Sequence, residues 1–346
     1  MHGTRAPLLG IISLAVYSAA WTIGAPINGG PELNFEVVSE KSFAVPFAEY
    51  EVIKGSPGGN VVLFSPKSKL IVTIPAAGSQ PETILLAKIL PDSGSRLQRL
   101  LPALAFDPGG KIYIAANLPG KKFPNYGVYV IDSGGAFVKM VELQNASEFR
   151  EFAVDSGGRI YAPSPAQGPG ALWCAQINQY EPNGRFVRSL RDCERSEPIV
   201  LPHFSYLGKR STPLWVANDR IYYTPPKDDR LMVFGIDGIL EETRYLSSPP
   251  VETALRNRGF LVTPDVPAEV ISARPVGDEG LLLAWRRSGI LYVSFNAWHG
   301  AALSAALPAS RMDGWPIACD RNGKCDVVLQ TSAEKVFVRR VRIVLR

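Results

Sequence analysis

The heptapeptide Asp107-Pro-Gly-Gly-Lys-Ile-Tyr113 occurs again as Asp155-Ser-Gly-Gly-Arg-Ile-Tyr161, and a shorter form follows at Asn218-Asp-Arg-Ile-Tyr222. Each copy is followed by two more apolar runs, which are joined by a turn of their own: Asp132-Ser-Gly-Gly135, Glu181-Pro-Asn-Gly184 and Ile236-Asp-Gly238. The spacing of the copies is close to the ~40–50 residues of a β-propeller blade, which is built from short strands and Gly turns. The repeat therefore predicts an all-β chain.

Apolar alternation and turn residues divide the chain into six four-stranded blades. The predicted blades span 61–100, 103–143, 151–193, 200–247, 268–306 and 313–346. The last segment contains only three clear strands, and a blade needs four. We expect an N-terminal strand, Leu33-Asn-Phe-Glu-Val-Val38, to complete that blade and close the ring, which also removes exposed sheet edges. A seventh blade, obtained by dividing 191–268, is the alternative.

Residues 1–20 have the pattern of an export signal. Arg5 precedes the apolar run Leu8–Tyr17, and Ser18-Ala-Ala20 offers small residues for cleavage. The run is short for a membrane-spanning helix, which needs about 20 residues; an uncleaved anchor is the alternative. Residues 21–32 are expected to be a flexible leader, and residues 33–346 a single propeller domain. We expect a secreted or periplasmic monomer.

The four cysteines fit two hairpins. Around the predicted two-residue turn Asn183-Gly184, opposed positions have numbers that sum to 367, which pairs Cys174 with Cys193. Around the three-residue loop Arg321-Asn-Gly323 the sum is 644, which pairs Cys319 with Cys325. The sequence therefore predicts two cross-strand disulfides, in keeping with export. Free buried thiols are the alternative, and the spacing argues against zinc.

The charge of the chain argues against nucleic acid as a partner. The formal net charge is +5 and charged residues make up 20% of the chain, with hydrophobic residues at 46%. The basic residues are scattered, except for Arg339, Arg340, Arg342 and Arg346 at the C-terminus. This cluster alternates with apolar residues, and we interpret it as the charged outer strand of a blade.

The second and third predicted blades resemble NHL repeats. The matching segments are Leu104–Ala115 with Val128–Val138, and Phe152–Tyr161 with Ile177–Val187. The fourth blade, Ile221–Leu231 with Asp237-Gly238, also looks like the related YWTD blade. The resemblance implies a six-bladed propeller but no single activity, because propellers host many unrelated functions.

Candidate binding residues lie in loops between the second and third strands of a blade and in linkers between blades. Because neighbouring strands are antiparallel, these loops and linkers all lie at the same end of the sheets. We call that end the loop face. The candidates are Lys121, Lys122, Asn125, Tyr126, His203, Arg210, Asp228, Asp229, Arg230 and Arg286. Their mixture of charges suits a protein, a peptide or a small anionic ligand.

The sequence contains no signature of a catalytic centre or of a required metal. The Asp residues of the Gly turns could act as calcium ligands, but Asp and Gly are also what a tight turn needs, and we interpret them as structural. The sequence therefore favours an exported propeller that binds or scaffolds a partner. The alternative is a propeller hydrolase or lyase, similar to gluconolactonases or NHL lyases, with calcium or another divalent ion in the central channel. A structural protein without a ligand is a third possibility.

Overall fold

The computed structural model describes residues 33–346 except 77, 92–98, 119–124, 150, 168–172, 191–212, 226–229, 247–268, 277–279, 288–289, 298–302, 306–315, 320–323, 332–333 and 346. Over these ranges the backbone forms twenty-four strands and one short helix, and the strands make six antiparallel four-stranded sheets. Within the described residues, no helix is long and apolar enough to cross a membrane.

Each sheet is given with its strands in spatial order. The first contains β2 (Val52–Gly55), β3 (Val61–Ser65), β4 (Leu70–Ile74) and β5 (Glu82–Leu85). The second contains β6 (Arg99–Phe106), β7 (Ile112–Asn117), β8 (Tyr126–Ile131) and β9 (Phe137–Glu142). The third contains β10 (Ala153–Val154), β11 (Ile160–Gln167), β12 (Trp173–Tyr180) and β13 (Phe186–Ser189).

The other three sheets repeat this order, with one exception. The fourth contains β14 (Leu214–Ala217), β15 (Arg220–Tyr223), β16 (Arg230–Gly235) and β17 (Leu240–Tyr245). The fifth contains β18 (Glu269–Val276), β19 (Gly280–Arg287), β20 (Ile290–Ala297) and β21 (Leu303–Ala305). The sixth contains β22 (Pro316–Cys319), β23 (Lys324–Thr331), β24 (Lys335–Leu345) and, as its fourth strand, β1 (Leu33–Ala44).

The first sheet differs from its prediction at both edges. Its first strand, β2, lies in a segment that the sequence analysis left outside the blade. The strand was missed because it is short: only four residues lie between polar Glu51 and the turn that begins at Ser56. At the other edge of the predicted blade 61–100, the apolar run at residues 83–90, which also suits one strand, divides into β5 and the one-turn helix α1 (Leu86–Ile89). Leu86 is fully buried in this helix, so an apolar run that also suits a strand packs here as a helical turn.

The core lies between neighbouring sheets. Every residue of β3 is buried, whereas the outer strand β5 is largely exposed. One cluster joins Val62 and Phe64 of the first sheet to Ile114 of the second, and another joins Leu63 of the first to Val336 of the sixth. The first sheet therefore buries both faces against other sheets, as propeller blades do.

The sheets contact one another in chain order. Strand β2 contacts both β6 and β22, β10 contacts both β6 and β14, and β22 contacts β18. Between the fourth and fifth sheets, Tyr222 and Leu231 share a buried cluster with Val270 and Leu281. The first sheet thus contacts the sixth as well as the second. The first strands of the sheets are the ones that meet, so we call their edges the inner edges.

Arg339, Arg340 and Arg342 do not lie on an outer strand, so that interpretation is wrong for them, and Arg346 lies outside the described residues. Strand β24 is the third strand of its sheet, and β1 pairs with it from Leu33↔Leu345 to Ala44↔Lys335. Acidic residues of β1 face the arginines: Glu36 lies opposite Arg342, and Glu40 opposite Arg339. A guanidinium nitrogen of Arg339 lies 2.7 Å from a carboxylate oxygen of Glu40. The basic cluster is therefore partly neutralised within the sixth sheet.

The turns that begin at Asp107, Asp132 and Asp155 have one geometry, in which the first residue closes the turn with its side chain. At Asp107, the Gly110 N–H donates to the Asp107 carbonyl and the Lys111 N–H donates to Oδ1 of the carboxylate. Gly110 has φ +86°, a conformation that disfavours residues with a Cβ. Ser56-Pro-Gly-Gly-Asn60 forms the same kind of turn, with the Ser56 hydroxyl accepting from Asn60. The sequence analysis missed this copy because Ser replaces Asp.

The cysteine hairpins have the expected registers, although the first turn differs. Cys319 lies directly opposite Cys325. In the other hairpin, Asn178 lies opposite Ser189, and their residue numbers sum to the expected 367. Closer to the turn the register shifts by one residue, so Tyr180 lies opposite Phe186. The turn closes between Glu181 and Arg185, one residue wider than predicted, and the shift restores the register. Cys193 lies outside the described residues.

Candidate functional site

The predicted binding residues fall into two groups. Six of them lie outside the described residues: Lys121, Lys122, His203, Arg210, Asp228 and Asp229. The other four lie within strands or beside them. Asn125 and Tyr126 are adjacent at the loop-face end of the second sheet, and Arg230 begins β16 of the fourth. Arg286 was predicted to lie in a loop, but it belongs to β19, opposite Glu269.

Asn117 fixes the two ends of the loop that contains Lys121 and Lys122. It is the last residue of β7 and is only 7% exposed. Its side-chain oxygen accepts a hydrogen bond of 3.0 Å from the Asn125 N–H, and the Leu118 N–H donates to the Asn125 carbonyl. The loop therefore leaves and rejoins the second sheet at a defined point next to Tyr126.

Arg99, Asn117 and Tyr126 form a polar row across the loop-face end of the second sheet. Arg99 pairs with Asn117 in the β6–β7 register, and Asn117 pairs with Tyr126 in the β7–β8 register. The pKa of the Tyr126 phenol is raised, first by burial and then by the negative charge of Glu148, while Arg99 acts in the opposite direction. Glu148 and Arg99 therefore act on the phenol with opposite sign.

Buried aromatic residues position Glu148 and Glu151. Both acids lie in the linker between β9 and β10, next to Phe149 and Phe152, which are 3% and 1% exposed. The two rings pack edge to face with centroids 5.4 Å apart. Because the linker is anchored by these rings, its carboxylates are held in place at the loop face.

An ion pair joins two sheets that are not neighbours. The ammonium nitrogen of Lys54, on β2 of the first sheet, lies 2.5 Å from a carboxylate oxygen of Glu151, just before β10 of the third. The two side chains are 15% and 16% exposed. In the order of contacts the second sheet lies between the first and the third, so the pair spans it on the side of the first strands, β2 and β10.

We define the axial site as Lys54, Arg99, Asn117, Tyr126, Glu148 and Glu151. The linker that carries Glu148 and Glu151 connects the two parts of this set, because Glu151 pairs with Lys54 and Glu148 acts on the Tyr126 phenol. Such a mixture of charged and polar groups is suited to holding a polar ligand. Of these residues, the sequence analysis named only Tyr126 as a site residue. The available signal was the pattern Glu148-Phe-Arg-Glu-Phe152, which alternates charged residues with apolar anchors before an inner strand.

The turn aspartates have geometries that account for them without a ligand. Oδ1 of Asp155 accepts from the Arg159 N–H, and Oδ2 accepts from the Arg159 Nε at 2.7 Å and from the Tyr161 hydroxyl at 3.0 Å. Over the described residues, no group of three or more His, Cys, Asp or Glu side chains is placed to hold a metal ion.

No family model matches the sequence, and neither does any curated protein. Solved structures do match. A member of the DUF4221 family from Bacteroides vulgatus is similar over 91% of this chain and 99% of its own, with a TM-score of 0.55 and 11% identity. The chain has a β-propeller fold. A luciferin-regenerating enzyme is similar to this propeller over 88% of the chain and 95% of its own, with a TM-score of 0.50 and 10% identity. Such low identities show the fold alone, and membership of the NHL family stays a prediction.

Proposed function

We propose that this propeller is an exported binding module whose ligand occupies the axial site on the loop face. The observation that carries the proposal is the Lys54–Glu151 pair across the inner edges. Two partly buried charges from non-neighbouring sheets add little net stability, because removing them from water offsets most of their attraction. Their placement is therefore better explained by recognition than by folding.

We propose that the sheets form a closed ring of six blades, in which β1 completes the sixth blade. Six four-stranded sheets, the contacts of β2 with both β6 and β22, and the pairing of β1 with β24 support this arrangement. In a closed ring the inner edges surround one axis, so the row of Arg99, Asn117 and Tyr126 would open on the loop-face mouth of a central channel, with the Lys54–Glu151 pair deeper inside.

Export and the two disulfides belong to the same proposal. The opposition of Cys319 and Cys325 supports one bond, and the register at Asn178 and Ser189, extended by four residues, supports Cys174–Cys193. The intact mass of the mature protein under non-reducing conditions tests both. A mass four hydrogens below the reduced value, with residues 1–20 missing, is expected; a fully reduced mass contradicts the disulfides, and a retained N-terminus contradicts cleavage.

The binding experiment uses thermal shift with a library of polar metabolites and short peptides. The wild-type protein is compared with a variant carrying Arg99→Ala and Tyr126→Phe, and with Lys139→Ala as control. Lys139 lies on the outer strand β9, and its ammonium donates to the Pro182 carbonyl, away from the axial site. We expect compounds that raise the melting temperature of wild type and of the control but not of the double variant. Compounds that stabilise all three proteins equally contradict a loop-face site.

The same compounds separate a binding module from an enzyme. We expect mass spectrometry to recover each ligand chemically unchanged after prolonged incubation with the protein. Turnover that stops on chelation, together with a stoichiometric divalent ion in elemental analysis, would instead support the metal-dependent hydrolase or lyase.

A further inference from the structure

We infer that the axial site recognises a zwitterion, that is, a small molecule or peptide terminus carrying an ammonium and a carboxylate close together. This inference rests on the proposed function and names the class of its ligand. It follows from the charge balance of the site and from the burial of its central pair.

The Lys54–Glu151 pair restricts which ligands can enter. Each side chain is about five-sixths buried and neutralises the other at 2.5 Å. A simple anion that binds Lys54 would leave the Glu151 carboxylate without its cation in a partly desolvated position. A simple cation would do the same to Lys54. Both carry a desolvation cost, because a buried charge that loses its partner is strongly destabilising.

A ligand that carries both charges avoids this cost. Its carboxylate can accept from the Lys54 ammonium while its own ammonium donates to Glu151, so one ion pair becomes two and no charge is left unpaired. The long, flexible Lys54 side chain can move aside to admit such a ligand, whereas Glu151 is held by the linker between Phe149 and Phe152.

The surrounding residues have the same balance of charge. Arg99 and Glu148 act with opposite sign on the Tyr126 phenol, and Glu148 lies in the same linker as Glu151, so the site contains a second cation and a second carboxylate. Together the four charged groups sum to zero. A site with no net charge gives no long-range preference to an anion or a cation, so selection depends on the spacing of the paired charges.

Matched probes test the inference by isothermal titration calorimetry on the mature protein. Alanine is compared with propionate, which lacks the ammonium, and with ethylammonium, which lacks the carboxylate; phenylalanine is compared with 3-phenylpropionate and phenethylammonium. We expect at least one zwitterion to bind ten or more times tighter than both of its singly charged counterparts. The double variant Lys54→Met and Glu151→Gln keeps the size of both side chains, and we expect it to bind that zwitterion at least tenfold more weakly.

The outcomes are distinct from those of the library experiment. Singly charged probes that bind as tightly as their zwitterion, or a double variant that binds the zwitterion unchanged, overturn the inference. If the library yields ligands that depend on Arg99 and Tyr126 but no zwitterion binds, the inference is wrong and the binding module stands. If neither set binds at the loop face, both are wrong. Circular dichroism and the melting temperature establish that the variant carrying Lys54→Met and Glu151→Gln is folded.

Discussion

The hydroxyl of Tyr161 donates a hydrogen bond of 3.0 Å to the carboxylate of Asp155, and these residues form the two ends of one copy of the repeated heptapeptide. Asp155 is 2% exposed and Tyr161 is fully buried. The pair is part of a chain of contacts between sheets. The Gln179 amide donates both to the Tyr161 hydroxyl and to the Ile236 carbonyl of the fourth sheet, each at 3.5 Å. The repeat therefore provides a turn and also a polar contact that helps one sheet dock on the next.

Replacement of Asp155 by Ala should destabilise the protein much more than replacement of Asp132 by Ala. Asp155 accepts hydrogen bonds from Arg159 and from the buried Tyr161, whereas Oδ1 of Asp132 accepts only from exposed backbone N–H groups of its turn. We expect the free energy of unfolding to fall by roughly 2–4 kcal/mol for Asp155→Ala and about 0.5–1.5 kcal/mol for Asp132→Ala. Urea denaturation measures both, and equal losses would show that the turn alone accounts for the role of the aspartate.

The heptapeptide also shows what local sequence could and could not predict. Its Asp and Gly residues predicted the turns, because those residue types are demanded by a tight turn. The contact between its ends was not predicted, since it depends on Asp155 of the turn and Tyr161 of β11 being buried together. The fourth copy confirms that the turn is set locally: Asn218 and Asp219 both have positive φ and form a two-residue hairpin turn.

The axial site was largely invisible in the sequence for a different reason. Lys54 and Glu151 are far apart in the chain and lie on sheets that are not neighbours. No periodicity connects them, because their contact is fixed by how the sheets pack against one another. Tyr126 was predicted because it borders a loop whose position follows directly from the repeat.

The stability of the protein should fall between pH 10 and pH 12, in part through Tyr113. Burial and the nearby Asp107 raise the pKa of this phenol from 10.0 to about 12. A raised tyrosine pKa means that the folded state favours the neutral phenol, so its contribution is complete below pH 10 and is lost as the pH rises towards 12. Urea denaturation at intervals from pH 8 to pH 11.5 measures the slope.

The variant Tyr113→Phe isolates this contribution, because other buried tyrosines also titrate. We expect the stability of the variant to fall less steeply with pH than that of wild type, and the two curves to converge as the pH approaches 12. Parallel curves over the whole range would contradict a role for Tyr113. Return of each sample to pH 8 before measurement checks that the loss is reversible.

Gly184→Ala should be more destabilising than Gly158→Ala, although both glycines occupy turns with positive φ. A Cβ at Gly184 would overlap the carbonyl oxygen of Glu142, on the second sheet, whereas a Cβ at Gly158 would meet nothing closer than 3.6 Å. Both variants carry backbone strain of about 1–2 kcal/mol, and only Gly184→Ala also forces the two sheets apart. We expect a total loss of roughly 3–5 kcal/mol for Gly184→Ala. Thermal and urea denaturation of both proteins decide this, and similar losses would show that the contact of the turn with Glu142 is unimportant.

Removal of residues 33–44 should abolish cooperative folding, because β1 covers the sixth sheet. Without it, β24 becomes an exposed edge, and Phe43 no longer packs near the buried Val336 and Val338. An unpaired strand of this length also promotes aggregation. We expect the truncated protein to elute as aggregates in size-exclusion chromatography and to show no cooperative thermal transition.

The matched control for this truncation is Glu40→Ala, which keeps β1 but removes the carboxylate that pairs with Arg339. Glu40 and Arg339 side chains are 45% and 23% exposed, and exposed ion pairs contribute little to stability. We therefore expect a change of less than about 1 kcal/mol in the free energy of unfolding and an unchanged elution volume. A truncated protein that unfolds cooperatively as a monomer would show that five sheets and a three-stranded remainder suffice, and that β1 does not hold the sixth sheet in place.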